Sequence, residues 1–412
     1  MFHSSTPPIL HALAALFTIT LSPTALAQSM EELEAQLLEH PSLTAMRYNT
    51  DASRERAHAA TGLPDPVISL GINNFPVFDP SFDTFLPTNK AIGIRQQIPN
   101  RAIREARSSE ALQRAMQNDA ATDMRFAELR GALQIALIEK RRIETQRTLA
   151  NERHAKYAEL EKIVQTEIDS GRPVVFRLAE IDVERAEVAR TLAELEGQMS
   201  QINAQLIDLV GFIPATPAPR LIAGEWNGDA QAFHLVRVSD KAIEVAEAGV
   251  DQAKAAYKPN WGAQLTYQQR DAGNGGPGSN FSGDDWVSGA VTFTVPLWAE
   301  NRQAPALRAA KADRAAARAS HMAAARTAVA QYASFDATRR AANESILVLE
   351  QKIDAIADQV AAQLTTYESG IGDYSPIIDG EIAAIALRAQ IALEQARRDS
   401  AIARMNALLV TP

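Results

Sequence analysis

The sequence predicts a mainly α-helical protein with a small membrane β part, built as an internal two-fold repeat. Three observations lead there. Two stretches, Arg101 to Ser170 and Ala306 to Ser369, run without proline and hold a single glycine, Gly131, between them. Four short segments alternate apolar and polar residues, the period-two signature of half-exposed strands. The order of these features occurs twice along the chain.

The N-terminus predicts export. An apolar run from Ile9 to Leu21 precedes Ala25-Leu26-Ala27, a small-x-small cleavage site, so residues 1–27 are expected to be a signal peptide. The chain has no cysteine, which excludes disulfides, thiol chemistry and a lipid-anchored cysteine. The net charge is −9, and no Lys/Arg cluster alternates with aromatics, so no nucleic-acid partner is expected. No later segment reaches the ~20 apolar residues of a membrane helix, so any membrane part must be strands.

The first repeat is expected over residues 28–211, a linker or equatorial segment over 212–239, and the second repeat over 240–412. Strands are expected at about 66–74 and 90–98, then about 260–269 and 286–296. Helical hairpins follow at about 101–210 and about 300–410. At ~1.5 Å per residue each long helix extends ~95–105 Å, which overshoots a globular domain. Such a helix must pack along another. Ser170-Gly171-Arg172-Pro173 and Ser369-Gly370-Ile371-Gly372 break the hairpins, since glycine past a helix end and proline at the next start are the usual punctuation. Pro64 matches Pro259 before the first strand of each half, Pro99 matches Pro296 after the second, and Glu180-Ile181 matches Glu381-Ile382 in the return helices.

Four strands cannot close a barrel, and each unpaired backbone group in lipid costs several kcal/mol. The sheet is therefore expected to close by oligomerisation. Ile68, Leu70, Ile92, Ile94, Leu265, Tyr267, Val291 and Phe293 are expected on the lipid face, with the polar alternates facing water. Trp261, Trp286 and Trp298 stand at strand ends, where aromatic girdles sit.

The two-fold repeat, the strand-loop-strand inserts and the paired hairpins resemble the TolC family of outer-membrane efflux channels over essentially the whole mature chain. The resemblance implies a homotrimer with a 12-stranded barrel in the outer membrane and an α-barrel in the periplasm. It also implies a periplasmic adaptor (membrane fusion) protein, an inner-membrane RND-type pump and outer-membrane lipid as partners. Gly62-Leu63-Pro64-Asp65-Pro66-Val67-Ile68-Ser69-Leu70-Gly71 and Ile92-Gly93-Ile94-Arg95-Gln96-Gln97-Ile98-Pro99 are similar to members serving heavy-metal pumps of the Cus and Czc type. Tyr367-Glu368-Ser369-Gly370, then Ile377-Ile378-Asp379, resembles the family's tip motif. The resemblance implies a periplasmic gate at Glu180, Asp379, Arg177 and Tyr367. It implies adaptor contact at the tips, with Gly171, Arg172, Pro173, Gly370, Ile371, Gly372 and Asp373 as candidates. Acidic rings there would favour cations. The chain departs from the family pattern in three places: Gly372 replaces the inner-tip arginine, Pro376 replaces a paired aspartate, and Arg177 occupies an acidic position. As ordinary residues, Glu180 and Asp379 would simply suit the first turn of a helix.

No HExxH, Walker, GxSxG or GxGxxG motif occurs, so no enzyme, catalytic residue or cofactor is expected. The seven histidines (3, 11, 40, 58, 154, 234 and 321) are scattered, and no metal site is expected. The rival reading is a periplasmic coiled-coil scaffold or adaptor without a pore, against which the duplicated alternating strands argue.

Overall fold

A computed structural model describes residues 29–78, 80, 82, 88–270 and 284–410. The expected signal peptide and most of both strand-to-strand loops lie outside the described residues. The elements run α1 (Met30–Leu38), α2 (Pro41–Thr61), β1 (Val67–Asn73), β2 (Asn89–Ile98), α3 (Arg101–Asp169), α4 (Phe176–Val210), α5 (His234–Ala255), β3 (Asn260–Gln269), β4 (Trp286–Thr294), α6 (Gln303–Glu368) and α7 (Ser375–Leu408). The helix α1 was not expected. Its capping box joins Ser29 and Glu32, and it buries Leu33 and Leu37 against Leu129, Leu133 and Leu137 of α3 and Leu206 of α4.

The four strands form one antiparallel sheet in the order β1-β2-β3-β4. The helices above it keep that order, since α2 packs on α3, α3 on α5 and α5 on α6. Each strand thus continues into a helix in the same lateral position. In the lower half the order is α4-α3-α7-α6. α3 and α6 run through both halves; with 69 and 66 residues they extend ~104 and ~99 Å at the helical rise. Among the described residues, no helix is long and apolar enough to cross a membrane.

The join between sheet and helices has its own lock. Asn100, just after Pro99, caps α3 by accepting from the Ile103 N–H at 2.8 Å. Its own N–H donates to Asn260 Oδ1 at 2.9 Å, and its amide donates to the carbonyls of Ala255 and Lys258. One side chain thereby ties the strand-to-helix turn of the first repeat to the helix-to-strand turn of the second. Lower down, Gly131 of α3 lets α7 approach closely: a Cβ there would lie 3.0 Å from Ala407 Cβ.

The register fixes which residues share a face. Ile68 pairs Ile94, which pairs Leu265; Leu70 pairs Ile92, which pairs Tyr267; Val291 pairs Ala263 and Phe293 pairs Trp261. Directly opposed residues point the same way. All eight residues expected to meet lipid therefore lie on one face, and every one of them is exposed in the single chain. Trp261 lies on that face, 5.5 Å from the Phe293 ring. Trp286 does not: it pairs Gln268 on the polar face, with the Arg270 guanidinium 3.6 Å above its ring.

Candidate functional site at the hairpin tips

Both hairpins turn by the same device. Gly171 has φ +89° and Gly370 has φ +78°, the left-handed conformation that glycine adopts without a Cβ penalty. At the first tip the Arg172 N–H donates to Glu167 O and the Gly171 N–H to Ile168 O; at the second, Ile371 donates to Thr366 O and Gly370 to Tyr367 O. These paired bonds satisfy the last helix carbonyls. Pro173 and Ile371 are exposed at the two turns.

The two tips of one chain are joined by two ion pairs. Arg172 binds Asp373, and Arg177 Nη2 lies 2.7 Å from Asp379 Oδ2. Both arginines come from the first repeat and both aspartates from the second. The Asp373 carboxylate holds Arg172 protonated more firmly than an ordinary arginine. Arg172 also lies 3.7 Å from Glu167. Thus Arg172 and Asp373, expected as adaptor contacts, first contact each other.

The expected gate residues divide between two depressions. Arg177, Glu180 and Asp379 line one of about 670 Å³, floored by Tyr157, Leu160, Ile181 and Ile382. Tyr367 lies in the other, about 350 Å³, with Arg172, Gly372, Asp373 and Tyr374. There its ring meets Tyr374 edge-on at 5.1 Å. Glu180 is exposed and forms no ion pair among the described residues. Like Asp379, it stands nine residues past the glycine of its own tip.

Sequence reasoning missed the polar belt above the tips. Arg153 donates to Glu184 at 2.8 Å, and the Tyr157 hydroxyl donates to the same carboxylate at 2.9 Å. Burial pushes the Tyr157 hydroxyl above its usual pKa, which keeps it a donor. Lys156 bridges α3 to α7 through Glu381 at 2.6 Å, and that hydrogen bond raises the Lys156 pKa. The aligned pair Glu180-Ile181 and Glu381-Ile382 signalled this region: Ile181 and Ile382 are buried together with Ile378 in one cluster. Among the described residues, no group of three or more His, Cys, Asp or Glu side chains could hold a metal ion.

Strands that feed long helical hairpins, repeated twice around one sheet, define the TolC type of channel-protomer fold. Residues 232–410 match the family model described as outer membrane efflux protein, so the second repeat carries that family's sequence pattern. The fold resembles the open state of the MtrE outer membrane channel of Neisseria gonorrhoeae, with TM-score 0.74 and 16% identity over 92% of this chain and 88% of that one. It resembles the outer membrane protein VceC of Vibrio cholerae, with TM-score 0.73 and 15% identity over 92% and 95%. CusC, described for transmembrane channel formation, gives TM-score 0.76 and 14% identity over 93% and 92%. No curated protein matches the sequence. Residues 232–410 are thus similar in sequence pattern, and the whole described chain in fold, to outer membrane efflux proteins.

Proposed function

We propose that this protein is the outer-membrane channel of a tripartite efflux system. Three copies enclose a water-filled passage, and substrate delivered by a periplasmic adaptor and an inner-membrane pump leaves passively. The observation that carries this reading is the sheet: four strands, one predominantly apolar face exposed, and two open edges at β1 and β4. Such a sheet is stable in lipid only when identical copies pair edge to edge. The helices that continue from the strands then form the wall of the periplasmic conduit.

The tips are the moving end of this conduit. Arg172–Asp373 and Arg177–Asp379 clamp the two hairpins of one chain together, so opening moves one tip away from the other and breaks these pairs. Glu180, exposed and unpaired among the described residues, and Asp379 give each chain two carboxylates near the entrance, a cation-favouring arrangement when repeated around an axis. The likeness of residues 62–71 and 92–99 to metal-efflux members supports metal cations as cargo.

The test is reconstitution. Detergent-purified protein should give discrete ion currents in a planar bilayer. A protein that stays soluble and monomeric without detergent would overturn the channel reading. Growth of a deletion strain on graded metal salts tests the cargo: equal tolerance with and without the gene would remove metals.

A further inference from the structure

The polar face of the sheet carries one charged side chain within the described strands, Arg95, and Arg270, just past β3, stacks on Trp286 at the edge of the same face. Its residues are Val67, Ser69, Gly71 and Asn73 on β1; Asn89, Ala91, Gly93, Arg95 and Gln97 on β2; and the residues paired with these on β3 and β4. Across from Arg95 stand Val67 on one side and Gln264 on the other, and Ala290 follows Gln264. Arg95 Nε donates to Gln264 Oε1 at 3.1 Å. It forms no ion pair among the described residues, and it is exposed.

The channel reading assigns the two faces: the exposed apolar face meets lipid, and the polar face lines the water-filled lumen. Gly93 and Gly262 of the two inner strands leave room on the polar face for their neighbours, since a Cβ at Gly93 would lie 2.7 Å from Ser69 Oγ and one at Gly262 would lie 2.6 Å from Thr292 Oγ1. The polar face with Arg95 is the inner one in this reading.

We infer that Arg95 sets ion selectivity in the membrane segment: copies of it line the lumen as a basic ring that attracts small anions and opposes cations. This rests on the channel reading above. The ring lies at the opposite end of the conduit from Glu180 and Asp379, so the passage carries acidic groups at its entrance and basic groups at its exit. Rings of Arg or Lys are a known means of favouring anions. Charges act over a Debye length of about 10 Å at 0.1 M salt and about 3 Å at 1 M, so the effect is ionic-strength dependent.

The test is the reversal potential of the full-length channel in a planar bilayer under a KCl gradient. Arg95→Gln should shift it toward the potassium equilibrium potential, Arg95→Glu should shift it further, and Arg95→Lys should leave it in place. Gln264→Glu, which sets a carboxylate against the Arg95 Nε, should shift it in the same direction as Arg95→Gln without removing the arginine. Each shift should shrink in 1 M salt. Normal currents whose selectivity ignores both residue 95 and residue 264 would overturn the ring alone. Absence of current from the wild-type protein would overturn the channel reading and the ring with it.

Discussion

Arg177 of α4 and Asp379 of α7 lie 2.7 Å apart, and this contact joins the tip of one repeat to the tip of the other. The Arg177 side chain is mostly covered, while Asp379 is about half exposed. A pair so placed contributes about 0–1 kcal/mol to stability. Its importance is therefore positional. Replacing Arg177 or Asp379 with Ala should leave thermal unfolding nearly unchanged yet raise the open probability of single channels. The exchange Arg177→Asp with Asp379→Arg should return it toward wild type. Asp379→Ala should also lower cation preference in the same bilayer, and unchanged selectivity would remove Asp379 from the gate.

The two faces of the sheet should respond oppositely to charge. Leu265→Arg or Val291→Arg places a cation on the apolar face, at a cost of about 2–4 kcal/mol near the bilayer midplane. Membrane fractionation should show loss of the assembled protein. Ser288→Lys, on the polar face opposite Thr266, should be tolerated. Equal loss in all three would refute the assignment of faces.

Glycines should divide by geometry. Gly171→Ala and Gly370→Ala force an alanine into the left-handed region, which costs about 1–2 kcal/mol each. Gly197 lies inside α4, where an added methyl would meet nothing within 4 Å, and should behave the other way. Gly197→Ala should gain about 0.5–1 kcal/mol from helix propensity. Denaturant midpoints distinguish the two classes.

Gly380 lets α7 pack tightly against Val360 of α6. A Cβ there would lie 2.5 Å from Val360 Cγ2. Gly380→Ala should cost about 1–3 kcal/mol through overpacking. Adding Val360→Ala should recover much of that loss, since it removes the methyl that clashes. A double variant no better than the single one would place the cost elsewhere.

His234, at the start of α5, supplies a pH dependence. Burial lowers its pKa below 6.5, with Asp123 pulling partly the other way and Arg237 and Arg130 adding to the depression. The unfolded chain then binds the proton more readily than the folded one, so stability is full above about pH 6.5 and falls as pH drops through it. His234→Gln should flatten the melting temperature between about pH 7 and pH 5. An unchanged pH slope would assign the loss to other groups.

Strands, long helices and tips were legible because each rests on local signals: alternation, absence of breakers, and glycine at the turn. The strands run Val67–Asn73, Asn89–Ile98, Asn260–Gln269 and Trp286–Thr294. The capping box Ser29-x-x-Glu32 was equally local, yet it lay beside the expected cleavage site and α1 went unread. What spacing could not reveal was pairing between residues about two hundred positions apart. Lys156 with Glu381 and Arg141 with Asp399 depend on α3 packing on α7, and Arg177 with Asp379 on α4 and α7 flanking α3 from either side, which follows from the lateral order of helices rather than from any local pattern. Tyr367 joined the second depression for the same reason.

Cross-linking of the sheet edges tests the shared wall most directly. The chain has no native cysteine, so cysteines placed along β1 and β4 are the only thiols present. Within one chain these strands are separated by two others, about 14 Å by strand spacing, well beyond the ~7 Å limit between the Cα atoms of a disulfide. Oxidation in the native membrane should yield covalent species of two and then three chains, with the three-chain species closed on itself. Cysteine pairs spanning every register that stay monomeric after oxidation, in protein that is folded and present in the outer membrane, would contradict the account.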